Sequence, residues 1–341
     1  DAPKQLIMWP RECAPADMRV LTSSGVYKRH DELAVGDVVL GRDAEHNLVW
    51  RPITAVHPNG AEPLIEITLR TGRTLRVTGN HPLQQVTGWQ RADAIGVGDR
   101  IALARVTPEP DDALHIPDEA AFLGYMLGDG SHRHMSFTNA DPAVLAAFQR
   151  HVERLGGEST LRTQRPCPQV GVRKLRPLLR AHGLATATSY DKHVPERLFL
   201  ADNASVAALL RALFSCDGTV SRATVSYSSV SKRLVDDMQH LLHRFGIVSR
   251  VQRKRGRYKG AVHWSWRLSF GDYNSKQAFA QHIGFVGKRA ARLQEALTKS
   301  VNRSASLDTI PIAWRTLLPR YRRGHSFKTL RTEHVVRVDV P

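Results

Sequence analysis

Two carboxylates in this 341-residue chain sit in near-identical settings. Asp129 closes the stretch LGYMLGDGS (123–131) and Asp217 closes RALFSCDGT (211–219); aligned on the acids, Gly124 coincides with Ala212 and Gly128 with Cys216. One Asp-Gly pair alone is an ordinary helix stop. Two helices with small residues four apart can instead pack backbone to backbone and bring their acids together at one end. Such a pair of hard oxygen donors beside phosphodiesters suits magnesium. A second constellation is Thr78, Asn80 and His81 in RVTGNHPL (76–83), where a hydroxyl, an amide and an imidazole could surround one peptide bond at a strand end, orient it and supply a proton. By itself this cluster is also a plain turn. The thiol that would use it is Cys13, far in sequence from the other cysteines, Cys167 and Cys216. Three scattered cysteines argue against a disulfide framework and against a Cys-based zinc site.

The elements that must carry these groups fall into two differently patterned segments. In the first, DELAVGDVVL (31–40) recurs as DAIGVGDRIAL (93–103), with Gly36-Asp37 matching Gly98-Asp99 at an offset of 62. Each copy enters a Val/Ile/Leu strand through a Gly-Asp turn, and further β-type runs lie between them, so the segment reads as an all-β, internally duplicated module. Residues 108–116, acidic and rich in proline, read as a linker. Beyond them the pattern turns helical from Pro117, and MSFTNADPAVLAAFQRHVERLGG (135–157) lies over VSYSSVSKRLVDDMQHLLHRFGI (225–247) at an offset of 90. The second segment is therefore two copies of an α/β unit.

Charge divides the same way. Residues 1–107 hold 13 Lys and Arg against 12 Asp and Glu, whereas residues 108–341 hold 36 against 20. The second segment is the candidate for a polyanion partner, a solvated basic surface being the plainer reading of charge alone. RVQRKRGRYK (250–259) concentrates six basic residues in a hairpin-like run: Arg250, Arg253, Lys254, Arg255, Arg257 and Lys259. In HWSWRLSF (263–270), Trp264, Trp266, Leu268 and Phe270 share one strand face, and Arg267 lies on the other with Ser265 and Ser269. Phosphate contact by these basic residues is expected. No apolar run approaches the roughly 18 residues of a membrane span, and a signal-peptide core is lacking, so the chain reads as cytoplasmic.

The paired helices LGYMLGDG and LRALFSCDG resemble the signature helices of LAGLIDADG homing endonucleases. That resemblance implies two αββαββα repeats over residues 117–300 (about 117–200 and 201–300), with sheets that straddle double-stranded DNA in its major groove and with Asp129 and Asp217 holding the Mg²⁺ ions that cut opposite strands. It further implies a lysine near each metal: Lys192 in DKHVP (191–195), and Lys288 after QHIGF (281–285). Arg211 and Cys216 depart from the family pattern.

Cys13 with VLTSSGVYKRHDELAVGDVVL, and RVTGNHPLQQVTGWQRADAIGVGDRI after it, resembles the N-terminal blocks of the Hint splicing module of inteins. The resemblance implies a horseshoe-like, pseudo-twofold all-β domain over residues 13–107, a host-protein tail at 1–12, and a splice junction between Glu12 and Cys13. It implies that Cys13 sulfur attacks the Glu12 carbonyl in an N-to-S acyl shift, with His81 giving the proton and Thr78 and Asn80 orienting the peptide; no cofactor is needed there. Residues 301–332 would be a connecting segment. EHVVRVDVP (333–341) resembles an opening strand of the C-terminal blocks, after which the expected Asn and downstream nucleophile are not found. The expected partners are duplex DNA and the host flanks in cis, for a monomer. QLIMWPRE resembles the strand before the phosphate-binding loop of ATPases such as terminase motors. Two other readings are weighed: a DNA-binding insert that has lost cleavage, which both acids argue against, and a hedgehog-type Hint autoprocessing protein, which the inserted endonuclease argues against.

Overall fold

The computed structural model describes residues 14–42, 48–57, 60, 62–85, 88–104, 106–163, 167–221, 224–258, 261–298 and 330–340. Cys13, Glu12, Lys259 and most of 301–332 lie outside these residues. The chain divides into two compact units, residues 1–107 with 305–341, and residues 108–304.

The first unit is built of short antiparallel strands. β1 (Arg19–Leu21) pairs with β2 (Tyr27–Arg29), β3 (Val38–Arg42) with β4 (Leu48–Pro52), and, after β5 (Leu64–Leu69) and β6 (Thr74–Thr78), β7 (Pro82–Gln85) pairs with β8 (Gly88–Arg91). β9 (Arg100–Ala104) joins a four-stranded sheet whose order is β6, β5, the late strand Leu330–Asp339, and β9. The sequence echo at offset 62 is a structural one. Arg29 and Arg91 each pair with the Asp two residues on, and Asp37 and Asp99 each accept a backbone amide three residues back, from Ala34 at 2.9 Å and Gly96 at 2.8 Å. The intervening Gly36 and Gly98 both have φ of +97°, a conformation only glycine adopts without strain. Ile65, Ile67, Val77, Ile95, Ile101 and Val335 form the core of this unit.

The second unit runs α1 (Pro117–Asp129), β10 (Gly130–Ser131), β11 (Ser136–Thr138), α2 (Pro142–Arg154), β12 (Glu158–Arg162), β13 (Gln169–Arg173) and α3 (Arg176–Ala181). The order then repeats as α4 (Asn203–Asp217), β14 (Thr219–Val220), β15 (Val225–Ser229), α5 (Lys232–Leu242), β16 (Arg250–Tyr258), β17 (Ala261–Phe270) and α6 (Tyr273–Ala278), followed by α7 (Lys288–Thr298). The two sheets have the same order, β10-β11-β13-β12 and β14-β15-β17-β16. Amphipathic α2 and α5 start on side-chain caps, Asp141 accepting from the Ala143 amide and Ser231 from the Leu234 amide, and cover one face of each sheet. Aromatic side chains fill each half: Phe122, Tyr125, Phe137 and Phe148 in the first, with Phe137 and Phe148 rings 4.4 Å apart; Phe214, Tyr227, Phe270 and Phe279 in the second, with Phe214 and Phe279 at 4.9 Å.

Residues 108–116, read from composition as a linker, are tied to the start of α4. Leu114 bridges Ala201, Glu109 accepts the Asn203 amide, and Ser205 accepts the Ile116 amide. A proline-rich acidic stretch thus serves here as a fitted strap, because its backbone groups find partners on the neighbouring helix end.

Candidate functional site

Asp129 ends α1 and Asp217 ends α4 because each is followed by a glycine that leaves the helix for an extended conformation. What brings the two ends together is the absence of side-chain bulk between the helices. A Cβ on Gly124 would lie 2.5 Å from the Leu209 carbonyl oxygen and 2.8 Å from Ala212 Cβ, and one on Gly128 would lie 2.6 Å from Cys216 Cβ. Close contact is therefore maintained up to the residue before each acid, as the alignment of small residues anticipated.

Asp129 accepts a 2.6 Å hydrogen bond from the Asn139 amide, and Asn139, almost fully buried, is held in turn by the Asp141 backbone. The Asp217 carboxyl is pushed up to about 6: loss of water on its packed side comes first and the charge of Asp129 second, with Lys192 and Arg289 pulling it back down. Two neighbouring carboxylates are the donor type that a hard divalent ion takes, with water and phosphate oxygens left to complete its shell; among the described residues no group of three or more His, Cys, Asp or Glu is placed to hold a metal. The Cys216 thiol beside them is driven up by burial and by both carboxylates, so it stays protonated and acts as packing.

Two cations reach this end of the helix pair. Lys192 Nζ donates to the Gly128 carbonyl at 2.8 Å, and burial lowers its pKa while Asp217 and Asp129 hold it up. Arg289 donates to the Ser215 carbonyl at 2.6 Å and to the Cys216 carbonyl at 3.0 Å. Each base thus binds the carbonyl just before an acid, Lys192 before Asp129 and Arg289 before Asp217. Lys288, expected here from the sequence, is exposed at the first turn of α7, with its amide on Asp141; its neighbour Arg289 lies beside the acids. Adjacent helical residues point about 100° apart, so a one-residue ambiguity in a Lys-Arg pair decides which side chain arrives. Arg289, Asn139 and Asp141 carry no motif and escaped sequence reasoning; the offset of 90 that aligns Asp141 with Ser231 was the available signal.

Away from the helices, each sheet presents a polar face. In the first, Gln169 Nε2 donates to Ser136 Oγ at 3.1 Å; in the second, Arg267 Nη2 donates to the matching Ser226 Oγ at 3.0 Å. Register puts Arg162 opposite Gln169 and Gln252 opposite Arg267, so the two halves carry the same residue types in exchanged order. The basic run does not form one patch. Strand alternation puts Arg250 and Lys254 on the face of Arg267, whereas Arg253 and Arg255 share the face of Trp264 and Trp266, with the Arg253 guanidinium 4.1 Å from the Trp264 ring centroid. The Arg257 backbone pairs with Val262.

In the first unit, Thr78 ends β6 and the His81 amide donates to the Thr78 carbonyl at 3.0 Å. The neighbouring turn is tied to it by Ala92 and Asp93 amides that donate to the His81 and Gly79 carbonyls. Thr78 and His81 are buried and Asn80 is half-buried; the Thr78 hydroxyl has no hydrogen-bond partner among the described residues. A buried hydroxyl left unpaired costs about 1 to 3 kcal/mol. Ala14, next to Cys13, is buried in the same unit.

Residues 204–284, the second repeat from α4 onward, match the family model described as a LAGLIDADG-like domain. Among curated proteins, the chain is similar to the replicative DNA helicase DnaB of Rhodothermus marinus, 32% identical over 80% of this chain and 32% of that protein. It is also similar to the replication factor C small subunit of Thermococcus kodakarensis, 29% identical over 80% of this chain and 32% of that protein. The chain thus spans about a third of the length of these relatives. Among solved structures, an Ssp DnaB mini-intein variant aligns over 28% of this chain and 61% of its own, at 22% identity and a TM-score of 0.27. A mesophilic variant of the homing endonuclease I-DmoI aligns over 52% of this chain and 97% of its own, at 14% identity and a TM-score of 0.40. Among the described residues no helix is long and apolar enough to cross a membrane.

Proposed function

We propose that this chain is an intein-type splicing element carrying an embedded LAGLIDADG endonuclease that makes double-strand cuts in DNA at a specific site. The observation that carries the reading is the Asp129–Asp217 pair, held at the end of two helices in backbone contact and flanked by one cation on each side. The family match of residues 204–284 supports it. So does the recurrence of one sequence segment in proteins as differently named as a DnaB helicase and a replication factor C subunit, as expected of an insert and not of a domain specific to either.

Asp129 and Asp217 would hold Mg²⁺, which when bound supplies charge stabilisation to the phosphate under attack. The chain's own work is to fix the two acids side by side, to keep Lys192 and Arg289 where negative charge builds on each phosphate, and to lay the polar faces of the two sheets against the DNA. In the first unit, Cys13 sulfur gives up its proton and adds to the Glu12 carbonyl, the C–N bond breaks, and the departing Cys13 nitrogen takes a proton from His81, which the thiol proton replaces. The product is a thioester with a free amine. Thr78 and Asn80 orient the peptide for that step.

The test is cleavage of duplex targets recovered from a randomised library with Mg²⁺. Asp129→Asn and Asp217→Asn should abolish cutting and leave DNA binding, because phosphate contacts by Arg and Lys do not need the acids. Undiminished cleavage in the double variant refutes the assignment. For splicing chemistry, added thiol should release residues 1–12, and Cys13→Ala should prevent the release; release from Cys13→Ala refutes the junction.

A further inference from the structure

The two cations beside the acids are each anchored by the opposite repeat. Lys192 belongs to the first repeat, in the loop after α3, yet its carbonyl accepts a 2.6 Å hydrogen bond from Ser231 Oγ, the N-cap of α5 in the second repeat. Two residues on, the buried Val194 amide donates to Asp237 Oδ2, also on α5, at 2.9 Å. Arg289 belongs to the second repeat, yet the amide of Lys288 just before it donates to Asp141 Oδ2, the N-cap of α2 in the first repeat, at 3.0 Å. That amide is the first cause holding the Asp141 carboxyl below the usual carboxylate range. Gly287 lets the Asp141 carboxylate reach this backbone, since a Cβ there would collide with it.

Asp141 and Ser231 are the same position in the two repeats, at the offset of 90. Each caps its own helix: Asp141 accepts the Ala143 amide, and Ser231 accepts the Leu234 amide. Each also spends a second hydrogen bond on the backbone that carries the other repeat's cation. A cap needs only its own helix amides, so the crossing bonds are left over from that role. Their chemistry is reciprocal: Asp141 accepts from an amide, and Ser231 donates to a carbonyl.

We propose that Asp141 and Ser231 are positioning residues that hold Arg289 and Lys192, respectively, over the acid pair from across the repeat interface, so that each half's helix cap sets the geometry of the other half's cut. This rests on the endonuclease reading above, and on Lys192 and Arg289 each serving one strand.

Two substitutions separate anchoring from capping. Asp141→Ser keeps a good cap but is too short to reach the Lys288 amide. Ser231→Asp keeps a good cap but sets a carboxylate against the Lys192 carbonyl, where a donor is required. In single-turnover cleavage with Mg²⁺, each variant should slow nicking of one strand by about tenfold to a hundredfold, the range expected of a misplacement near 1 Å. The two variants should accumulate opposite nicked intermediates, with DNA affinity within about twofold of the parent. Asp141→Asn, which keeps an acceptor oxygen, should cut at close to the parent rate. Independently of activity, hydrogen exchange at the Lys288 amide should lose its protection in Asp141→Ser while amides inside α2 keep theirs. Lys192→Met and Arg289→Met serve as references. If these leave both strands cut at the parent rate, the endonuclease reading of the two cations fails. If they slow cutting while Asp141→Ser and Ser231→Asp do not, or if the latter two slow both strands equally, the anchoring proposal is overturned.

Discussion

Replacing Gly124 with alanine isolates the feature on which the paired acids depend. The added methyl would lie 2.5 Å from the Leu209 carbonyl oxygen, which is backbone and cannot rotate away. Ordinary carbon–oxygen contact needs about 3.3 Å or more, so α1 and α4 must part by nearly 1 Å. Overpacking of this kind costs about 1 to 3 kcal/mol, while exchanging glycine for alanine inside a helix returns up to about 1 kcal/mol. A net loss of about 1 to 2 kcal/mol is expected, seen as a fall in Tm of about 2 to 8 °C for a unit of this size. Because helices move as rods, Asp129 should be carried off its place beside Asp217 and cleavage should drop steeply. Gly128→Ala meets only Cys216, at Cβ and Sγ, so it supplies the contrast. Cys216→Gly should relieve Gly128→Ala, giving a favourable coupling in a double-mutant cycle. Ala212→Gly should not relieve Gly124→Ala, since the Leu209 carbonyl remains. Thermal unfolding and single-turnover cleavage measure both cycles. A Gly124→Ala chain as stable and as active as the parent, or one fully rescued by Ala212→Gly, would sink the argument.

Because the Asp217 carboxyl titrates near 6 in the folded chain, above the unfolded value of about 3.9, its contribution to stability is present at low pH and is lost as pH rises through about 6. Asp129→Asn should lower that pKa and flatten the slope in metal-free protein, and an NMR titration of Asp217 that does not move would contradict the coupling. Arg289→Met should reduce cleavage by tenfold or more, whereas Lys288→Met should leave it near the parent level; the reverse ranking would restore Lys288 to the role expected from the sequence. Charge removal at Arg250, Lys254 or Arg267 should shrink the slope of log affinity against log salt by about 1 for each phosphate that is no longer neutralised. The same change at Arg253 or Arg255, which lie on the Trp264 face, should leave that slope unchanged, and equal effects on both faces would refute the division.

Where the sequence spoke most clearly was in its internal echoes. Offsets of 62 and 90 placed the Gly36 and Gly98 turns and the capped helices, and alignment on Asp129 and Asp217, at an offset of 88, placed the small residues between α1 and α4, because a repeated unit must satisfy the same local sterics twice. The basic run 250–259 misled in one respect. Six charges in ten residues look like one surface, but a strand alternates its side chains, and the partner strand decides which face is which. The strap at 108–116 was illegible because composition reports solvation and not hydrogen bonding. Arg289 and Asp141 were illegible because their partners lie 74 and 147 residues away, and no local pattern encodes contacts so distant in sequence.

The sheet of the first unit places its latest strand in the interior, with Leu330–Asp339 between β5 and β9. During synthesis, β5 and β9 emerge early and wait with unpaired edges while the whole second unit is made. At the usual 5 to 20 residues per second, the 225 or so residues between Ala104 and Leu330 take roughly 10 to 45 s to appear. Time in this molecule is thus written into topology: the second unit has its full sequence in hand, and time to fold, before the first can close. The turn at Thr78–His81 lies at the end of β6, which pairs with β5, so chemistry that depends on a finished sheet there starts only after Leu330–Asp339 has been delivered.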